Sequence, residues 1–125
     1  TMAAVGRTDL LPVRAVGDKG LEVWKRKGWL RLGEEQEKVG YALVEDGMRF
    51  DVPAAAAKVA CPWLILHGER DEVVPTSDAE TLLEASGRRT DLEIVPDADH
   101  RFSRNEHRGH ITRRIVEFLD GVLSG

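Results

Sequence analysis

Trp63-Leu64-Ile65-Leu66 is an unbroken apolar run, entered through Pro62 and left through a polar stretch. A strand with one solvated face alternates apolar and polar residues. A continuous run suits a strand covered on both faces, as in a parallel sheet. Proline is tolerated at the start of such a strand, where no ladder donor is needed. The sequence beyond it supplies the covering elements. Ser77 and Glu80 have the spacing of a capping box, and Asp78 and Glu80 favour a helix N-terminus. Ala79, Leu82 and Leu83 recur at helical spacing, and Gly87 is suited to end the helix in the left-handed region. Leu92-Glu93-Ile94-Val95 reads as a second strand. Ile111, Ile115, Phe118, Leu119 and Val122 then follow the stripe of an amphipathic helix. The order strand, helix, strand, helix predicts an α/β fold: a parallel pair joined by a right-handed crossover, with a closing helix.

Residues 1–60 are less regular. Asp18 to Lys27 predicts a short helix. Trp29 to Leu32, the polar run to Lys38 and the apolar residue Val39 predict a hairpin, and Tyr41 to Phe50 can be helical. Asp51 ahead of Pro53 and the run Ala54 to Ala57 suits a short capped helix. Thr1 to Gly6 reads as the tail of a strand or the scar of a cut. Composition changes near residue 60, which divides the chain into a variable, cap-like region over 1–60 and a βαβα segment over 61–125.

Composition narrows the function classes. Eighteen basic against 22 acidic residues give a net charge of −4, which offers no attraction for nucleic acid or an anionic membrane. No apolar run reaches the length of a membrane span. The N-terminus lacks a signal pattern, so the expected location is cytoplasmic. The single cysteine, Cys61, excludes an internal disulfide, fits a reducing compartment and is expected to be a buried structural thiol. Trp24, Trp29 and Trp63 are expected in core or cap packing. The cluster from Arg101 to Arg114 reads as a solvated loop and helix face.

The chemistry is expected at the carboxyl ends of the strands, where open parallel sheets build their sites. The loop after the first strand runs from His67 to Pro75, and the loop after the second from Pro96 to Phe102. Neighbouring strands lie about 4.8 Å apart, so Asp71 on one loop can reach His100 on the other. A serine hydroxyl needs a base at neutral pH. His100 can take that proton through one ring nitrogen while Asp71 accepts a hydrogen bond from the other, fixing the tautomer and stabilising the imidazolium.

These residues carry a resemblance. His67-Gly68-x-x-Asp71-x-x-Val74-Pro75 and Asp99-His100-Arg101-Phe102 resemble the acid and histidine loops of α/β-hydrolase-fold enzymes, over residues 59 to 123. The resemblance implies a serine hydrolase acting on an ester, thioester or amide, with Asp71 and His100 catalytic and no cofactor or metal. The chain departs from the pattern in three ways. It has no G-x-S-x-G elbow, because Ser77, Ser86, Ser103 and Ser124 all follow Asp71. The loop that supplies an oxyanion-hole amide is also missing. Asp97 stands where the family often has glycine, a position aspartate can fill in a left-handed conformation.

The expected protein is therefore the C-terminal part of a serine hydrolase, inactive alone because the nucleophile lies elsewhere. The alternative is a non-catalytic module that binds or complements another polypeptide. Either has an open sheet edge that invites a homodimer or a complementing chain. Ser103 lacks the strained elbow and helix N-terminus of a substitute nucleophile. His100, His107 and His110 match no standard zinc spacing.

Overall fold

The computed structural model describes residues 1–87 and 89–125. They form two compact units, one of residues 7–52 and one of residues 1–6 with 53–125. The second unit is thus larger than the span from residue 61 that composition suggests. It reaches back to Pro53 and takes in the first six residues.

In the unit of residues 7–52, a short 3-10 turn, Thr8–Leu10, leads into α1, Leu11–Lys27. Gly17 breaks its regularity with φ 68 and ψ 173, which is why the sequence signals a helix only from Asp18. Gly28 ends α1 in the left-handed region, and its N–H donates to the Trp24 carbonyl at 2.8 Å. Lys25, Arg26 and Lys27 in the last turn face the negative end of the helix dipole. Strands β1, Trp29–Leu32, and β2, Glu37–Gly40, form the expected antiparallel hairpin, with Gly33 and Gln36 of the turn at positive φ. Buried Trp24 anchors the unit. Its indole N–H donates to the Val39 carbonyl at 3.0 Å, and its ring meets Tyr41 edge-on. Trp29 instead lies under the ammonium groups of Lys27 and Lys38. Helix α2, Ala42–Gly47, follows.

The larger unit contains the site. After α3, Val52–Ala56, strand β3, Trp63–Gly68, pairs in parallel with β4, Thr90–Val95, in the register His67 to Ile94 and Gly68 to Val95. The other edge of β3 is occupied too. Met2 bridges Leu66 in parallel, the Leu66 N–H donates to Thr1 at 2.9 Å, and the Ala3 N–H donates to Leu66 at 2.9 Å. Thr1 to Ala3 therefore run as a strand beside β3. This explains why β3 can be apolar throughout: its faces and both its edges are covered.

Side chains alternate along β3. Leu64 and Leu66 join Val95, Ala98, Phe102 and Ile111 in one core cluster, with Ile115 and Phe118 packed against it. The last three belong to α5, Asn105–Ser124. Complete burial of a Leu or Ile stabilises by about 1.5–3 kcal/mol, so this stripe sets the seat of α5. Leu119 and Val122, predicted in the same stripe, remain about half and two-fifths exposed. Ile65 and His67 point to the opposite side, where α4, Thr76–Ala85, packs on β3 and β4.

Three local expectations are corrected. Ser77 does not cap α4. Helix α4 begins at Thr76, with Pro75 at the cap position and no side-chain cap bond, and the Ser77 carbonyl accepts the Thr81 hydroxyl. The first-turn acid serves a distant partner instead. Fully buried Asp78 accepts the Gly6 N–H at 2.9 Å, fastening the N-terminal segment. Gly87 does not end the helix in the left-handed region, since the chain leaves α4 extended at Ser86. Cys61 is exposed, because it precedes β3 outside the core.

Candidate active site

Gly68 is where the two loops meet. A Cβ on it would lie 2.4 Å from the Ala98 carbonyl oxygen and 2.8 Å from that of Asp99. Glycine alone lets the end of β3 pass under the loop that follows β4. Backbone bonds then join the two: the Glu69 N–H donates to Val95 at 3.0 Å and the Arg70 N–H to Ala98 at 2.9 Å. The Asp97 N–H donates to the Glu69 carboxylate at 3.0 Å, and Asp97 takes φ 58, the left-handed conformation anticipated for it. The Arg70–Asp97 ion pair is largely solvated and adds about 0–1 kcal/mol.

On this frame Asp71 and His100 come together. The His100 Nδ1–H donates to Asp71 Oδ2 at 2.8 Å. The Asp71 side chain is wholly buried, while a third of the His100 side chain is exposed. The other Asp71 oxygen, Oδ1, accepts the N–H groups of Val73 at 2.9 Å and Val74 at 2.8 Å. Bonds of this charge-assisted type contribute about 1.5–3 kcal/mol each. Burial alone would raise the Asp71 pKa, but the Val74 N–H, the His100 imidazole and the Val73 N–H outweigh it and hold the carboxyl below its ordinary range. The carboxylate can only accept, so His100 carries its proton on Nδ1. Nε2 keeps a lone pair, and His100 lines a cavity of about 670 Å³ with Met2, Glu72, Val73, Arg101 and Phe102. The arrangement can take a proton from a nucleophile and stabilise the resulting imidazolium.

Ser103 is occupied elsewhere. Its hydroxyl donates to Asp99 Oδ2 at 2.5 Å and its N–H to Asp99 Oδ1 at 2.7 Å, a local turn that starts the approach to α5. His107 and His110 lie on α5 rather than in a loop with His100. His107 is buried, and His110 pairs with Glu93 of β4, which Arg114 also holds at 2.5 Å. Among the described residues no cluster of three or more His, Cys, Asp or Glu side chains forms a metal-holding group, and no helix is long and apolar enough to cross a membrane.

Two residues that the acid-loop motif includes were given no role of their own from the sequence. One is Gly68. The other is His67, fully buried, with Nε2 2.8 Å from the Val74 carbonyl and 3.3 Å from Asp71 Oδ2. The signal was present: a histidine closing an otherwise apolar buried strand, four residues before the acid.

The depressed carboxylates set an acid dependence. Glu93, like Asp71, is held low: burial raises it, and His110 and Arg114 more than reverse that. A carboxyl with a folded pKa below its unfolded value stabilises above the unfolded value, near 4, and loses that contribution as pH falls through the folded value. Thermal melts should therefore show Tm falling as pH drops below about 4, with a shallower fall in Glu93→Gln. A Tm that rises on acidification would contradict the assignment.

Known proteins share this framework. The profile of the prolyl oligopeptidase family matches residues 1–125. An uncharacterized peptidase, YuxL of Bacillus subtilis (strain 168), is 46% identical over 63 residues, which cover 48% of this chain and 9% of that one. Among solved structures, mouse alpha/beta hydrolase domain-containing protein 10 superposes with a TM-score of 0.78 at 19% identity, over 96% of this chain and 50% of that one. Est1E from Butyrivibrio proteoclasticus gives a TM-score of 0.69 at 21% identity, over 78% of this chain and 39% of that one. The fold is that of part of an α/β hydrolase, and the chain spans half or less of the length of these relatives.

Proposed function

The chain belongs to the prolyl oligopeptidase family, and from that membership we propose that Asp71 and His100 are the acid and base of a Ser-His-Asp triad that cleaves peptide or ester bonds. The observation that carries the reading is the 2.8 Å bond from His100 Nδ1 to buried Asp71 Oδ2. It joins two loops at the same end of adjacent parallel strands.

The nucleophile is a serine outside residues 1–125. No serine here lies on a strand-to-helix elbow, and Ser103 is turned to Asp99. The serine-bearing polypeptide adds to the sheet beyond Thr1 to Ala3, whose inner side pairs with β3. In the reaction His100 Nε2 removes the serine proton as the hydroxyl oxygen attacks the carbonyl carbon. The imidazolium then returns that proton to the leaving amine or alcohol, and water repeats the sequence on the acyl-enzyme.

Fluorophosphonate labelling tests the division of labour. Residues 1–125 alone should take no label, and Ser103→Ala should make no difference. Labelling of the isolated chain that disappears in Ser103→Ala would place the nucleophile within it and overturn the proposal.

A further inference from the structure

His67 is buried more completely than any role in apolar packing requires. Its side chain is fully enclosed at the end of β3, on the face opposite the Leu64 and Leu66 cluster. Burying an imidazole is costly unless its polar atoms are used. Nδ1 has no hydrogen-bond partner among the described residues, so Nε2 carries the whole of the ring's polar contact. Nε2 lies 2.8 Å from the Val74 carbonyl oxygen. A carbonyl can only accept, so Nε2 bears the hydrogen. Val74 is the residue whose N–H holds Asp71 Oδ1 at 2.8 Å. The same N–H of His67 stands 3.3 Å from Asp71 Oδ2, the oxygen that receives His100. Asp71 is thus bounded by His67 of β3, by the Val73 and Val74 amides of its own loop, and by His100 across from it.

We propose that His67, in the Nε2–H tautomer, is a positioning residue for the acid of the triad. It clamps the Val74 carbonyl to the end of the buried strand β3. Holding that carbonyl fixes the position of the Val74 Cα and so limits how far its N–H, on the preceding peptide unit, can turn away from Asp71 Oδ1, which keeps Oδ2 toward His100. Without the clamp, the start of residues 69–75 is still tied to the histidine loop through the Glu69 and Arg70 N–H groups, but its Val73 to Val74 end loses its hold on β3, and the angle of the Asp71–His100 bond is less fixed. The inference rests on the triad reading of Asp71 and His100.

The test uses the serine-bearing polypeptide that carries residues 1–125, with p-nitrophenyl acetate as substrate. His67→Leu removes the donor and keeps an apolar filling. A misplacement of about 1 Å in a catalytic group costs about 10²-fold in rate, so kcat should fall by up to that factor with KM little changed. His67→Gln can place an amide N–H near the Nε2 position and should recover much of the loss. In the unaltered protein, nitrogen-15 NMR should find His67 protonated at Nε2 and not at Nδ1, a measurement independent of whether any variant folds. A proton on Nδ1 alone would overturn the proposal. So would a His67→Leu enzyme with a lowered Tm but unchanged kcat and an unchanged low-field His100 Nδ1–H resonance. Asp71→Asn and His100→Ala run alongside tell the two failures apart. If both keep activity, the triad reading has failed. If both are inactive while His67→Leu keeps its kcat, only the positioning role has.

Discussion

In the serine-bearing protein, Asp71→Asn should lower kcat by about 10⁴-fold, the size of loss a triad suffers when its histidine is given the wrong tautomer. Asparagine fits the same space and still accepts the Val73 and Val74 N–H groups through its carbonyl oxygen. Its amide nitrogen, turned to His100, is a donor, so the imidazole must accept at Nδ1 and carry its hydrogen on Nε2, where the serine proton has to go. His100→Ala removes the base and should be at least as severe. Both variants should fold, since a third of the His100 side chain is exposed and the loop bonds of Asp71 largely persist. Steady-state hydrolysis of p-nitrophenyl acetate measures the effect. Near-normal turnover in either folded variant would remove the pair from the mechanism.

Gly68→Ala should be severely damaging for a single added methyl group. Its Cβ would press on two backbone oxygens, at 2.4 Å and 2.8 Å. Neither belongs to a side chain that can swing aside. The histidine loop would have to lift from the end of β3, straining the Arg70 to Ala98 and Glu69 to Val95 bonds. Overpacking of this kind costs about 1–3 kcal/mol, and each kcal/mol shifts Tm by about 4–8 °C in a domain of this size. The displaced loop carries His100, so activity should fall along with stability. A Gly68→Ala protein with the original Tm and kcat would mean that the close approach of the loops is unimportant.

The sequence disclosed the parallel pair and the site for one reason: both are local patterns. An unbroken apolar run, a helical stripe and a second strand place two loops on one rim, and the meeting of Asp71 with His100 follows from their places on those loops. The hairpin was equally local and formed where the alternation placed it. What stayed without a role depended mostly on contacts that exist only in the folded chain. Gly68 looks like any turn glycine until the Ala98 and Asp99 carbonyls are set against it. His67 looks like part of a loop until its ring is found closing on Val74. Asp78 reads as a helix-start acid, yet it binds Gly6, 72 residues away. The first turns of α1 were hidden by Gly17, which interrupts the helical period. Cys61 was misjudged because adjacency to an apolar strand does not confer burial on the residue before it.

The most direct test is to identify the residue that a fluorophosphonate modifies in the longer, serine-bearing polypeptide. Mass spectrometry of the labelled protein should find a single serine outside residues 1–125, on a strand-to-helix elbow, with labelling lost in His100→Ala. Modification of Ser77, Ser86, Ser103 or Ser124, or undiminished labelling without His100, would contradict the assignment of Asp71 and His100 as the acid and base of a serine hydrolase.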